Sequence, residues 1–208
     1  MKNRTLTRRS AAALLASGVL SVSLGAAAVA PAADPRLDLV SALKAMGPHP
    51  SLGDQGQVFD RLIGTWDVDY ADISTDGTVT RHTGKLVVGW VMDGRVIQDL
   101  WIVDPYGFRQ EREVYTDLRY FDAKTKTWPA TFIDPEHVSV ARFTAGTADG
   151  NGIVLNTPDI GGADTRWSFN DIGPASFVFR DEVSHDGGRT WRLRGEDHMT
   201  RHSASPAG

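Results

Sequence analysis

From Trp66 onward the chain follows a period of two, and Asp-Gly and Gly-Gly turns break that period at short intervals. In Trp66-Asp67-Val68-Asp69-Tyr70 the apolar side chains fall on one face of an extended segment and the carboxylates on the other. The same pattern predicts strands over 78–92, 95–103, 113–121, 127–133, 139–144, 153–156, 165–169, 176–183 and 190–200. Asp76-Gly77, Asp93-Gly94, Asp149-Gly150-Asn151-Gly152 and Asp186-Gly187-Gly188 lie between them and tolerate positive φ. Strands joined by turns this tight are antiparallel, because parallel neighbours need a long crossover. Nine or ten short antiparallel strands with almost no helix leave a sandwich or a closed up-and-down barrel. The barrel is the expectation, since neighbours in sequence read as neighbours in space and closure hides the sheet edges.

Ahead of the strands, residues 34–63 are the one region with helical character. Asp34-Pro35 opens an amphipathic stretch through Leu37, Leu39, Val40, Leu43 and Met46 that stops at Gly47-Pro48. A second short turn from Gln57 to Leu62 leads into Gly64. The division expected is a helical lead-in and linker over 34–56, a barrel over 57–202 and a disordered tail over 203–208. Residues 1–33 read as an export signal. Lys2, Arg4, Arg8 and Arg9 precede an alanine-rich apolar run from Ala11 to Val29, with small residues for cleavage after Ala28 or Ala32. Thr7-Arg8-Arg9-Ser10 also fits a twin-arginine signal, so either export route is open. The expected location is periplasmic or secreted, with no stable membrane anchor after cleavage.

Removing residues 1–33 leaves 18 basic against 26 acidic residues, a net charge of −8. Nucleic acid and anionic membrane surfaces would repel such a chain. The sequence has no cysteine, which excludes thiol catalysis, thiolate metal sites and a lipidated anchor. An exported domain without disulfides depends on its core for stability.

Gly64-Thr65-Trp66 begins the first strand as lipocalin-type barrels begin, with the tryptophan plugging one end and the glycine turning tightly against it. With an even number of strands, Arg201 at the end of the last strand would lie near Trp66, where a guanidinium can cover the indole. Longer segments extend the likeness. They are Phe59 to Trp66, Gly89-Trp90-Val91-Met92-Asp93-Gly94-Arg95-Val96-Ile97-Gln98-Asp99, Arg119-Tyr120-Phe121-Asp122 with Trp128, Arg166-Trp167-Ser168-Phe169 and Asp186 to Arg192. Over residues 57–202 this order of motifs resembles the bacterial DUF1579 family, whose members are regarded as lipocalin-like and carry no agreed activity. The resemblance implies a barrel with an internal cavity and no particular reaction.

Ser184-His185-Asp186-Gly187-Gly188-Arg189-Thr190-Trp191 fits the Asp-box pattern of sialidase propellers. One copy without a blade-length repeat reads as a hairpin staple. No metal site is expected: His198 and His202, four apart on a strand, would stand about 13 Å from each other. No cofactor is required, and a haem held by one histidine would use His137 or His198. Asp67 and Asp69 should face water. Glu111 and Glu113 belong to a lid-like segment after Pro105-Tyr106-Gly107. No serine elbow or phosphate-cradling loop is visible.

Polar residues inside apolar strands are more informative. Val96, Gln98, Leu100 and Ile102 share one face of their strand, and Ile97, Asp99 and Trp101 the other. Whichever face is internal therefore carries a polar group. Arg119, Arg142, Arg180 and Glu182 interrupt other apolar runs, and an internal arginine must be paired or meet an anionic ligand. Trp90, Gln98, Trp101, Arg119, Phe132 and Arg142 are the expected ligand contacts, with Gly64, Trp66 and Arg201 closing the barrel. The expected function is binding of a small, partly apolar molecule in the barrel cavity. Two alternatives remain. One is a cofactor-free isomerase, lyase or hydratase using Asp99 or Glu182 as base and an arginine such as Arg142 for an oxyanion. The other is a structural or interaction protein with a filled core.

Overall fold

The computed structural model describes residues 38–147, 151–157 and 162–203. The export signal expected over 1–33 lies outside the described residues. So do Asp34, Pro35 and Leu37 of the lead-in, Asp149-Gly150 of one turn and 204–208 of the tail. Ten strands follow one another: β1 (Gly64–Ile73), β2 (Val79–Val91), β3 (Val96–Val103), β4 (Glu113–Tyr120), β5 (Trp128–Asp134), β6 (Ser139–Thr147), β7 (Ile153–Thr157), β8 (Asp164–Asn170), β9 (Ser176–Ser184) and β10 (Arg192–Arg201). Each pairs antiparallel with its neighbour in sequence, and β1 pairs with both β2 and β10, so the sheet closes into a barrel. In β1 the alternation holds as the sequence predicts: Trp66, Val68 and Tyr70 are buried, while Asp67 and Asp69 are solvated.

The lead-in contains less helix than the apolar spacing suggests. Its described residues form one short helix, α1 (Leu39–Leu43), then 3-10 turns at Pro50–Gln57 and Asp60–Leu62. Leu39, Val40 and Met46 point to solvent. The chain is held instead by backbone bonds along the β2–β3 hairpin, from Ala45 N–H to the Trp90 carbonyl, Met92 N–H to Leu43, and His49 N–H to Gly94. Five residues form a single turn, too short to be stable by propensity.

Phe59 and Leu62 cap one end of the barrel, where Trp66 is fully buried and donates from Nε1 to the Leu62 carbonyl at 2.8 Å. Phe177 packs edge-on to Trp66, with ring centroids 4.7 Å apart. Arg201 lies opposite Trp66 across the β1–β10 seam, its guanidinium carbon 3.9 Å from the indole centroid. It also donates to the carbonyls of Pro174 and Ile63. Gly64 is required here on two counts: its φ is +134°, and a Cβ would stand 2.5 Å from Arg201 Nη1. The Ser184–Trp191 hairpin is stapled by Asp186, which accepts from the amides of Arg189 and Thr190 and from the hydroxyls of Thr190 and Ser184. These bonds, those from Thr190 first, hold its carboxyl down to about 2.

Candidate functional site

The barrel interior divides into a packed end and a hollow one. Above the Trp66 plug, Arg119 is wholly buried between the rings of Phe59 and Phe169, with its guanidinium carbon 5.3 and 5.5 Å from their centroids. It donates to Asp99 Oδ2 at 2.9 Å and Asp117 Oδ2 at 2.7 Å, and both carboxylates are equally buried. The register places these three side chains together, because Asp99 on β3 faces Asp117 on β4 and Arg119 is the next inward residue of β4. Burial pushes both carboxyls up, and Arg119 pulls them back only in part. Two carboxylates on one guanidinium would leave a net buried negative charge. A proton retained on the pair removes it.

Beyond this layer a cavity of about 870 Å³ opens at the end of the barrel opposite Trp66. Its apolar wall includes Tyr70, Trp101, Val103, Phe132, Trp167 and Phe179. The rings of Trp167 and Phe179 have centroids 5.8 Å apart, and Trp101 approaches Phe179 at 5.0 Å. Polar groups are set into this wall. Asp181 accepts from Trp167 Nε1 at 3.0 Å and Arg194 Nη2 at 2.8 Å. His82 is sandwiched between Tyr70 and Tyr106, with ring centroids at 4.6 and 3.9 Å, and its Nε2 lies 3.0 Å from Asp72 Oδ2. At the mouth, Arg109 and the Tyr115 hydroxyl both donate to Glu113, and Arg109 also lies over the Tyr106 ring. Burial, with the nearby Asp197 charge, raises the Tyr70 phenol. Burial likewise raises Tyr115.

Asp197 differs from its neighbours. It is only 7% exposed, and its one side-chain hydrogen bond among the described residues is Oδ1 accepting from the Ala71 amide at 3.3 Å. Burial pushes its carboxyl up to about 8, and the charges of Asp72, Asp181 and Glu196 add to that effect. Asp181 is raised less decisively, because Arg194 and Trp167 stabilise its anion against burial.

The structure brings two of the sequence-derived contacts, Trp101 and Phe132, to the cavity wall. The others fall elsewhere. Trp90 is inside but at the packed end, where its Nε1 donates to Asp60. Gln98 is on the outer face of β3 and donates to Thr116 Oγ1, which removes it as a ligand anchor. Arg142 is exposed outside β6, with Ala141 and Phe143 turned inward in its place. It can therefore neither hold a ligand nor stabilise an oxyanion in the barrel. Arg119 is internal, but its two terminal nitrogens are bonded to Asp99 and Asp117 and it is sealed in the layer below the cavity. Asp99 is likewise sealed off as a base. Glu182 lies on the outer wall, where it is clamped by Arg166 at 2.8 and 2.9 Å, so it is not an internal base either. His198 points outward beside Glu196 and cannot serve a group inside, whereas His137 lies at the mouth, bonded to Asp134.

The residues that sequence reasoning missed are Tyr70, His82, Asp181, Arg194 and Asp197. A signal existed for three of them, since Tyr70 shares the apolar face of Trp66 and Val68. Asp181 has the parity of Phe177 and Phe179, and Asp197 that of Met199, so each belongs to a buried face.

No family model matches the chain, and no curated protein matches it. Among solved structures it is similar to the S-type phycobiliprotein lyase CPES from Guillardia theta. The TM-score is 0.50 at 11% identity, covering 72% of this chain and 93% of that one. A redesigned beta barrel aligns with a TM-score of 0.38 at 14% identity, over 70% of this chain and 96% of its own. What the chain shares with the lyase is the lipocalin-like closed antiparallel barrel.

Proposed function

We propose that this chain is an exported, lipocalin-like binding protein of the DUF1579 kind that holds a small, partly apolar molecule in its barrel. The observation that carries the reading is the 870 Å³ cavity, walled by aromatic rings with a few polar groups among them. A site of that size and lining binds by removing the ligand's apolar surface from water, while a few polar contacts orient it. The cavity also argues against a merely structural barrel with a filled core. Export rests on the basic and apolar anatomy of residues 1–33.

A titration with N-phenyl-1-naphthylamine, a neutral apolar probe that brightens on leaving water, tests the cavity. The mature protein should saturate at one probe per chain, and Val103→Trp, which fills the wall, should weaken binding at least tenfold. Equal binding by both proteins would place the probe outside the barrel and remove the reading. Native mass spectrometry of the protein from its own host would then give the mass of the natural ligand.

The cofactor-free enzyme is a second reading of the same cavity, favoured by one observation: a buried carboxyl of raised pKa, Asp197, faces the Asp181–Arg194 pair. Such a carboxyl can exchange a proton with a bound carbon acid or alcohol. Deuterium uptake into the co-purified ligand, lost in Asp197→Asn, would support turnover. Release of unlabelled ligand would leave the carrier.

A further inference from the structure

Nearly all the carboxylates of the cavity wall have a side-chain nitrogen within reach. Glu113 has Arg109, Asp181 has Arg194, Asp72 has His82 and Asp134 has His137. Arg192, near the mouth, directs its guanidinium to the carbonyls of Ile73 and Leu193. Asp197 has no basic partner among the described residues, only the Ala71 amide. On the neighbouring strand β1, the buried hydroxyl of Tyr70, which also lines the cavity, has no hydrogen-bond partner among the described residues. The Nδ1 atom of His82, stacked on Tyr70, has none either. Unmatched acceptors at the wall of an aromatic cavity are what a bound cation would satisfy, since a buried carboxylate without a partner is costly.

We propose that the cavity takes a protonated amine with an aromatic or otherwise apolar body, its ammonium donating to Asp197 and the Tyr70 hydroxyl. This rests on the cavity being a binding site. The body would lie against Trp101, Trp167, Phe179 and Phe132, and the Tyr70 ring adds its electron-rich face to the cation's surroundings. Arg194 keeps an unpartnered Nε–H, but its guanidinium is held by Asp181, and a carboxylate ligand there would face Asp72, Asp181 and Asp197.

The assignment has a pH signature. Facing Asp197 across the cavity are Tyr70 and Asp72 of β1, Asp181 of β9 and Arg194 of its own strand, while Glu196, on the outer face, acts on it only through its charge. His82 of β2 stacks on Tyr70, and Tyr115 of β4 acts on Tyr70 electrostatically. An ammonium must displace the proton that the buried Asp197 carboxyl holds below about pH 8. An alkylammonium keeps its own proton to about pH 10. Amine affinity should therefore rise by about tenfold per pH unit from 6 towards 8 and then level off.

Calorimetric titrations of the mature protein with tryptamine, its neutral isostere tryptophol and indole-3-propionate test this at pH 8. Tryptamine should bind at least tenfold more tightly than either of the others. Asp197→Asn should lower its affinity at least tenfold and leave tryptophol unchanged, with an unaltered melting curve reporting an intact fold. Should that variant fail to fold, the pH series on the unaltered protein decides, and a flat tryptamine affinity from pH 6 to 8 overturns the proposal. Equal affinity for tryptamine and tryptophol also overturns it, and leaves the cavity reading in place. Failure of these three ligands and of N-phenyl-1-naphthylamine alike would end both.

Discussion

Single carboxyl groups set how this barrel responds to pH. The Asp197 carboxyl is raised on folding, so between its unfolded value near 4 and about pH 8 the folded state binds the extra proton. Stability from this group is therefore present at low pH and lost as pH rises through that window. Asp99 and Asp117 act in the same direction. Melting temperature should fall from pH 5 to pH 8, and Asp197→Asn should flatten the slope and melt higher than the parent at pH 8. An unchanged slope in the variant would show that Asp197 ionises freely in the fold. Arg119 gives the converse test. Arg119→Ala leaves two buried carboxyls without their cation and should cost about 3–5 kcal/mol in urea denaturation. A loss below 1 kcal/mol would mean that protonation alone keeps the pair tolerable.

At the scale of elements, the seam between β1 and β10 and the β9–β10 hairpin carry the local design. Arg201 seals the seam by stacking on Trp66 and donating to two carbonyls. Arg201→Ala should lower stability by about 1 kcal/mol, and Gly64→Ala by more, because the alanine meets both an unfavourable φ and the guanidinium. Asp186 organises its hairpin through four accepted bonds, so Asp186→Ala should speed exchange of the Arg189 and Thr190 amides at least tenfold while core amides keep their protection. Uniform loss of protection would make the hairpin part of the global fold rather than a local staple.

In the whole molecule, closure joins the first strand to the last, so the barrel is complete only when residues more than a hundred positions apart have met. Such contacts are slow to form, and refolding after dilution from urea should take milliseconds to seconds. A microsecond phase carrying the full amplitude would contradict that. Closure also makes an interior, and the ten strands fill one half of it and leave the other hollow. Trp66, Phe177, Phe169 and the Arg119 layer occupy the end where the lead-in caps the barrel. At the opposite end most inward side chains are rings or short acids that line the space without spanning it.

The order of strands, their antiparallel pairing, the hairpin positions and the Trp66 plug were legible in the sequence, because turn residues and period-two alternation are local properties. Which face of a strand points inward was not always legible. In β3 both faces are apolar: Val96, Leu100 and Ile102 lie outside, and Ile97, Trp101 and Val103 inside. Alternation there gives parity without sign, and so Gln98 was as credible an anchor as Asp99. In β10 a register shift between Leu193 and Gly195 breaks the alternation that would have carried the reading from one end of the strand to the other. Partnership also depends on tertiary structure. Arg119 is neutralised by Asp99 twenty positions earlier, and Asp197 is left unmatched, because cross-strand register decides which charges meet. Local sequence thus determined the barrel and its closed end, while the pairing of distant strands decided the chemistry of the open one.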